Sequence, residues 1–319
     1  MSEIEKQNMM DNGKDAKEII KIARDRFADC EESEKENRKK AEEDLKVRLG
    51  HQWPEDVLQK RQLAGRPALT INKIPQFIRQ ISNEMRQNKP AIKVFPVDDN
   101  ADVETAKIYQ GLVRNIEYCS NADVAYINAG EGAVEKGFGF FRIITDYVNP
   151  HSFEQEIKIK QIPNHFAVLI DPYAQEVDGS DANYAFIYDE ISKDQFYALY
   201  PNSKIAQEGF WPSDDSNWYK SDACRIAEYF YKEFRKVKIF QVQDDLGGVH
   251  ILEQSELEAF QAQGIVYKTL NERETLKPVI KWCKINGDEI LEETEWQGSW
   301  IPVIPVYGSR VNFKGKWVT

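Results

Sequence analysis

Residues 66–102 read RPALTINKIPQFIRQISNEMRQNKPAIKVFPVDDNAD, a stretch without a catalytic signature whose order and spacing describe a scaffold. Asn72-Lys73-Ile74-Pro75 starts a helix. The Asn side chain accepts from the orphan N–H groups of a first turn, and Pro fits that turn because its missing N–H costs nothing there. Phe77, Ile78, Ile81 and Met85 recur at helical spacing, which predicts one apolar face, with Arg79, Gln80, Asn83, Arg86 and Gln87 lying elsewhere. Lys89-Pro90 ends the helix. Residues 91–97 then alternate Ile92 and Val94 with Lys93 and Phe95, predicting a short strand before Pro96.

Downstream, residues 102–118 place Val103, Ala106, Ile108, Tyr109, Leu112, Val113 and Ile116 on one face, predicted to meet the core. Ser120-Asn121 breaks that helix. Residues 123–136 form a second, through Ala125, Ile127, Ala129, Ala133 and Val134, so the pair is expected to make an antiparallel helical hairpin with a very short turn. Gly137-Phe138-Gly139 ends it as a bend and is too short of glycines, and of Lys, for a phosphate cradle. Residues 140–147, 155–162 and 167–170 are strand-like, with Pro150-His151-Ser152 at a hairpin tip.

From residue 224 strands dominate: 225–234, 237–243, 266–270 and 279–285, with a turn at 244–248 and a helix over 255–262 capped at Ser255. Asn286-Gly287 is a hairpin turn, and Pro302 and Pro305 make 301–307 an edge or bridging strand. Upstream, residues 16–49 read as one long helix after a polar, frayed start. Its first half carries the stripe Ile19, Ile20, Ala23, Phe27 and Cys30; its second half is packed with mixed charge. That second half is either laid across a neighbouring subunit or solvated and laced by surface ion pairs. The fold class is α+β: N-terminal helices and a helical hairpin followed by a mostly antiparallel, strand-rich region, without the βαβ alternation of a nucleotide-binding fold. The expected parts are 1–62 (long helix and connector), 63–223 (hairpin plus mixed sheet) and 224–319 (strand-rich region).

The 66–102 stretch resembles the portal proteins of short-tailed, double-stranded DNA bacteriophages, the podovirus type. The resemblance continues through Asn115-Ile116-Glu117-Tyr118-Cys119-Ser120-Asn121-Ala122-Asp123, Gly137-Phe138-Gly139, Asp171-Pro172, Ala227-Glu228-Tyr229-Phe230-Tyr231-Lys232 and Trp300-Ile301-Pro302-Val303-Ile304-Pro305-Val306-Tyr307-Gly308, spanning roughly residues 63–316. It implies a structural assembly protein, not an enzyme and without a cofactor: the wing portion of a dodecameric ring at one capsid vertex. Through that ring DNA is packaged and ejected. The implied partners are the chain itself, terminase, tail adaptor, scaffold and capsid proteins, and passing duplex DNA without sequence specificity. The implied location is the virion, with the host cytoplasm during assembly. Members run far beyond the position matching Thr319, into channel helices, a motor-facing tip and a crown. A chain ending there is expected to keep only part of the inter-subunit surface and to be a monomer or a weak, concentration-dependent oligomer.

Composition bounds the reading independently. The chain has 319 residues, 41% hydrophobic and 30% charged, as in a soluble globular protein. No apolar run approaches the ~20 residues that span a bilayer, and the N-terminus lacks a secretory pattern. Cys30, Cys119, Cys224 and Cys283 are far apart and read as reduced, mostly buried thiols, not a disulfide frame or a zinc site. A net charge of -11 is wrong for gripping DNA and acceptable for the wall of a conduit. Against that background Arg79, Arg86 and Lys89 form a modest basic set, expected to serve assembly or positioning or to be plain surface charges.

Other candidates carry less. Asp171, Glu176, Asp178 and Asp181 lack the spacing of hard-metal ligands, and a capped Asp-Pro turn accounts for them. His51, His151, His165 and His250 stand apart from one another, and His165 reads as a loop or core histidine satisfied by one hydrogen bond. Phe210, Trp211, Trp218 and Tyr219 suit packing better than base stacking, since only Lys220 is near. The alternatives to a portal subunit are a soluble cytoplasmic α+β enzyme with a site assembled only in three dimensions, or a truncated prophage product.

Overall fold

The computed structural model describes residues 3–89, 91–97, 102–203, 223–244, 247–313 and 316–319. The aromatic residues between 210 and 219 lie outside them. Helices come first: α1 (Glu3–Arg48), α2 (Glu55–Leu63), α3 (Ile74–Gln87), α4 (Val103–Ser120) and α5 (Ala122–Lys136). Then follow β1 (Phe138–Tyr147), β2 (Gln155–Gln161), β3 (Val168–Ile170), β4 (Tyr184–Ser192), α6 (Lys193–Leu199) and β5 (Ala223–Gln243). The last elements are β6 (Val249–Glu253), α7 (Gln254–Ala262), β7 (Lys268–Ile285), β8 (Ile290–Trp296), β9 (Val303–Tyr307), β10 (Val311–Phe313) and β11 (Lys316–Val318). Helices followed by antiparallel sheet make this an α+β fold.

The larger sheet runs β3-β4-β5-β7-β8, with β6 added beside the far half of β5. Its centre is covered on both faces, and strand alternation sorts the side chains. Ala227, Tyr229, Tyr231, Cys283 and Ile285 face α1, where Ala23, Phe27 and Cys30 supply the helix side of the core. Phe186 stacks on Tyr229, and Phe27 meets Phe186 edge-on. Phe230 and Ile280 point the other way, against Phe138, Phe140 and Val303. Those last three belong to a smaller sheet, β2-β1-β9, in which β9 is the edge that its prolines imply. Arg142 on β1 ties the sheets together: its Nη1 lies 2.7 Å from Glu228 Oε1 on β5, while Trp282 Nε1 donates to Glu228 Oε2 at 2.9 Å.

Helix α5 lies against β1 on a face of small residues, Ala122, Ala125, Ala129 and Ala133. Gly139 allows the backbones to touch there, since a Cβ added to it would lie 1.9 Å from the Ala129 carbonyl oxygen. Gly137 caps α5 at φ 87°, in the left-handed region that favours glycine.

Several expectations need correction. Helix α1 begins at Glu3, not near residue 16. The runs 225–234 and 237–243 are one 21-residue strand, β5, and 279–285 with the last three residues of 266–270 belong to one 18-residue strand, β7, because each pairs with the other along nearly its whole length. Glu253, not Ser255, caps α7, in a reciprocal capping box with Glu256. Residues 91–97 join no ladder among the described residues. Helix α4 packs on β2 more than on α5, with Ser120 Oγ accepting from Ile159 N at 3.0 Å, so the two helices do not form a hairpin packed along its length.

Candidate assembly surface

Helix α4 starts on a strong cap, with Asp102 accepting from Glu104 N and Thr105 N, and ends at Asn121 in the left-handed region. The sequence gives it a broad apolar face, but only its last turn is gathered into a core. Ile116 packs there with Ala122, Ala125, Ile159 and Phe141. Further out, Ile108 is 63% exposed, Tyr109 58% and Leu112 52%, and Ala106 alone is buried in the helix. The predicted core face is therefore largely a solvent face. Its side chains recur at i, i+1 and i+4 on successive turns, the pattern of a helix side that meets a partner.

Helix α3 shows the same departure. Ile78 and Ser82 are buried, while Phe77 is 62% exposed and Ile81 also faces solvent. Asn72 accepts from Ile74 N at 3.2 Å, as expected of a residue opening a helix. Met85 rests on Gly130 of α5, which has no Cβ to hold it off. Around these helices Leu69, Ile71, Ile92, Phe95 and Val97 are exposed as well. Scattered surface apolar residues are ordinary in any protein; a run of them over one segment marks an interaction surface.

The basic set is split by the fold. Arg86 Nη2 reaches Glu131 Oε1 of α5 at 3.1 Å, and Lys89 pairs with Asp123 of the same helix. Arg79 is exposed on the outer side of α3, in a shallow depression with Pro75, Gln80 and Asn83. The acidic partners Glu131 and Asp123 carried no signal in the sequence, because their spacing on α5 is unremarkable until α3 is laid beside it.

Among the described residues no group of three or more His, Cys, Asp or Glu could hold a metal ion. Asp171 accepts from Tyr173 N, Asn183 N and Asn183 Nδ2, and Asp181 takes the N–H groups of Gln175 and Glu176, so these carboxylates close turns. His165 is buried, with Nε2 2.9 Å from Asn128 Oδ1 and Nδ1 unpartnered. Burial, and then the charge of Lys136, pushes its pKa down to about 4. Cys30, Cys224 and Cys283 are buried free thiols, and burial, then Glu293, pushes Cys283 up to about 12; Cys119 is exposed. No helix among the described residues is long and apolar enough to cross a membrane.

The family of phage P22-like portal proteins matches residues 24–318. A curated relative, the portal protein of Acyrthosiphon pisum secondary endosymbiont phage 1, is 29% identical over 253 residues, covering 76% of this chain. The chain spans about a third of that relative's length, 35% being matched. With nearly all of its folded residues inside the family match, the chain belongs to the phage P22-like portal proteins.

Proposed function

We propose that the chain forms the wing-type part of a portal subunit, a structural component of the ring at one capsid vertex through which double-stranded DNA is packaged and ejected. The exposed apolar side of α4, in a member of this family, is the observation that carries the reading. A closed ring repeats one heterologous contact, so each subunit needs surface that stays bare until a neighbour arrives. The net charge of -11 suits a wall past which DNA slides without being gripped. Terminase, tail adaptor, scaffold and capsid proteins are then partners of the vertex. Assembly takes place in the host cytoplasm and the product resides in the virion. Energy for packaging comes from a separate motor, and this chain hydrolyses no nucleotide.

In this reading Arg86 and Lys89 are positioning residues that hold α3 on α5, and Arg79 is available to a neighbouring subunit. Electron microscopy of the protein after chemical fixation at high concentration tests the proposal. Curved single-file arcs or annular particles support it. Particles that stay single, or pair into closed two-fold dimers, overturn it.

A further inference from the structure

Helix α4 turns a regular seam to solvent. Thr105, Ile108, Leu112, Asn115 and Cys119 follow one another at alternating spacings of three and four, and all five are exposed. That repeat keeps one line of side chains facing a second helix over several turns. None of the five is charged, and Tyr109 and Ile116 lie alongside at matching positions. The other side of the helix is already in use, because α4 packs on β2.

Helix α3 carries a second seam of the same kind. Ile74, Phe77, Ile81, Glu84 and the cap Asn88 repeat the spacing, while Ile78 and Ser82 are buried and Met85 rests on α5. Each seam covers about four turns, roughly 21 Å of helix. Among the described residues no other helix exposes two large apolar side chains one turn apart. A contact that repeats head to tail needs two unlike faces on every copy, whereas a face that pairs with its own like closes at a dimer. The seams of α3 and α4 are unlike, matched in length and both uncovered.

The exposed area sets the strength of such a contact. Phe77, Ile81, Ile108, Tyr109 and Leu112 are between 44% and 63% exposed, so covering them removes roughly 500 Å² of side chain from water. Interfaces are only a little more than half apolar, which puts the whole contact near ~900 Å². Stable complexes bury about 1,200–2,000 Å², so this contact holds two copies together only at high concentration.

We infer that α3 of one copy packs along α4 of the next, with Phe77 and Ile81 set among Ile108, Tyr109 and Leu112. The inference rests on the ring reading and names the two halves of one of its contacts.

Complementation between aspartate variants of the 319-residue chain tests it. Phe77→Asp spoils the α3 half and leaves the α4 half intact; Leu112→Asp does the reverse. Both sites are exposed, so each variant should keep the parent's circular dichroism and urea midpoint. Light scattering is read at a concentration where the parent's mass exceeds twice 37.0 kDa. Each variant alone should be monomeric, since an unpaired carboxylate in the contact weakens it roughly a hundredfold. The equimolar mixture should level off at twice 37.0 kDa, because one intact α3 and one intact α4 remain to pair. Ile81→Asp with Ile108→Asp, as a second pair, should behave the same way. A mixture no heavier than its components overturns the assignment, as does a single variant that associates like the parent. Phe77→Asp alone stopping at a dimer also overturns it, because α4 would then pair with α4. A parent that still grows past the dimer leaves the ring reading standing when this contact falls; a parent that is monomeric at every concentration removes both.

Discussion

Substituting Gly139 by Ala attacks a close approach of the β1 backbone to that of α5. The new Cβ would lie 1.9 Å from the Ala129 carbonyl oxygen and 2.6 Å from its carbonyl carbon, where ordinary contact begins at 3.4 Å. Both obstacles are main-chain atoms of α5, so no side chain can rotate away. The helix must back off β1 by roughly 1.5 Å. Its alanine face has no longer side chains to fill the space, and a gap of even ~1 Å forfeits up to half of the dispersion attraction across it. The expected loss is about 3 kcal/mol, the upper end for overpacking. With a urea slope of about 3 kcal/mol/M, the unfolding midpoint falls by about 1 M. Gly111→Ala is the matched control. Gly111 sits in the exposed part of α4 with nothing within 4 Å of an added Cβ, and there the same change should stabilise by about 0.5–1 kcal/mol. Urea unfolding followed by circular dichroism reads both. A Gly139→Ala midpoint within the error of the parent, or two shifts of the same sign, would refute the packing argument.

Leu112→Ala should change the unfolding free energy by no more than about 1 kcal/mol, because the residue is already half in water. It should nevertheless weaken self-association, and a loss of 2 kcal/mol or more in urea unfolding would put Leu112 in a core instead. Glu228→Ala should cost about 2 kcal/mol by stranding Arg142 and the Trp282 indole N–H, and a double-mutant cycle with Arg142→Ala should return about 1 kcal/mol of coupling; additive effects would show that the two sheets are held otherwise. His165 is held neutral, with a folded pKa near 4 against 6.5 unfolded. Its contribution is therefore complete above pH 6.5 and lost as pH falls toward 4, by up to about 3 kcal/mol. The parent should lose more stability than His165→Gln between pH 7 and 4, and parallel losses would exclude His165 as the group responsible.

The parts of the fold legible in the sequence are those governed by local chemistry. Pro75 and Asn72 opened α3, Gly137 closed α5, and Asn286-Gly287 turned β7 into β8, each because few residues tolerate those backbone positions. The stripe of α1 was legible because its partner is a sheet of the same chain. Hydrophobic periodicity failed on α4 and on 91–97 for one shared reason: it reports that a face is to be covered, not which molecule covers it. The long strand β5 was read as halves because Arg235 and Lys236 look like a break, although in a ribbon exposed on both faces they do not interrupt pairing. In the candidate surface Arg86 and Lys89 were visible as charges. Their partners were not, since Glu131 and Asp123 become neighbours of Arg86 and Lys89 when α3 packs on α5.

Whether the uncovered surface of this chain is a contact between unlike faces of successive copies is decided most directly by its mass in solution as a function of concentration. Multi-angle light scattering from micromolar to near-millimolar protein should show the weight-average mass rising from monomer through dimer and beyond without a plateau, since a heterologous contact leaves both ends of every oligomer open. A mass that stays at 37.0 kDa throughout, or that levels off at twice this value, would contradict a portal-type assembly surface on α3, α4 and the 91–97 segment.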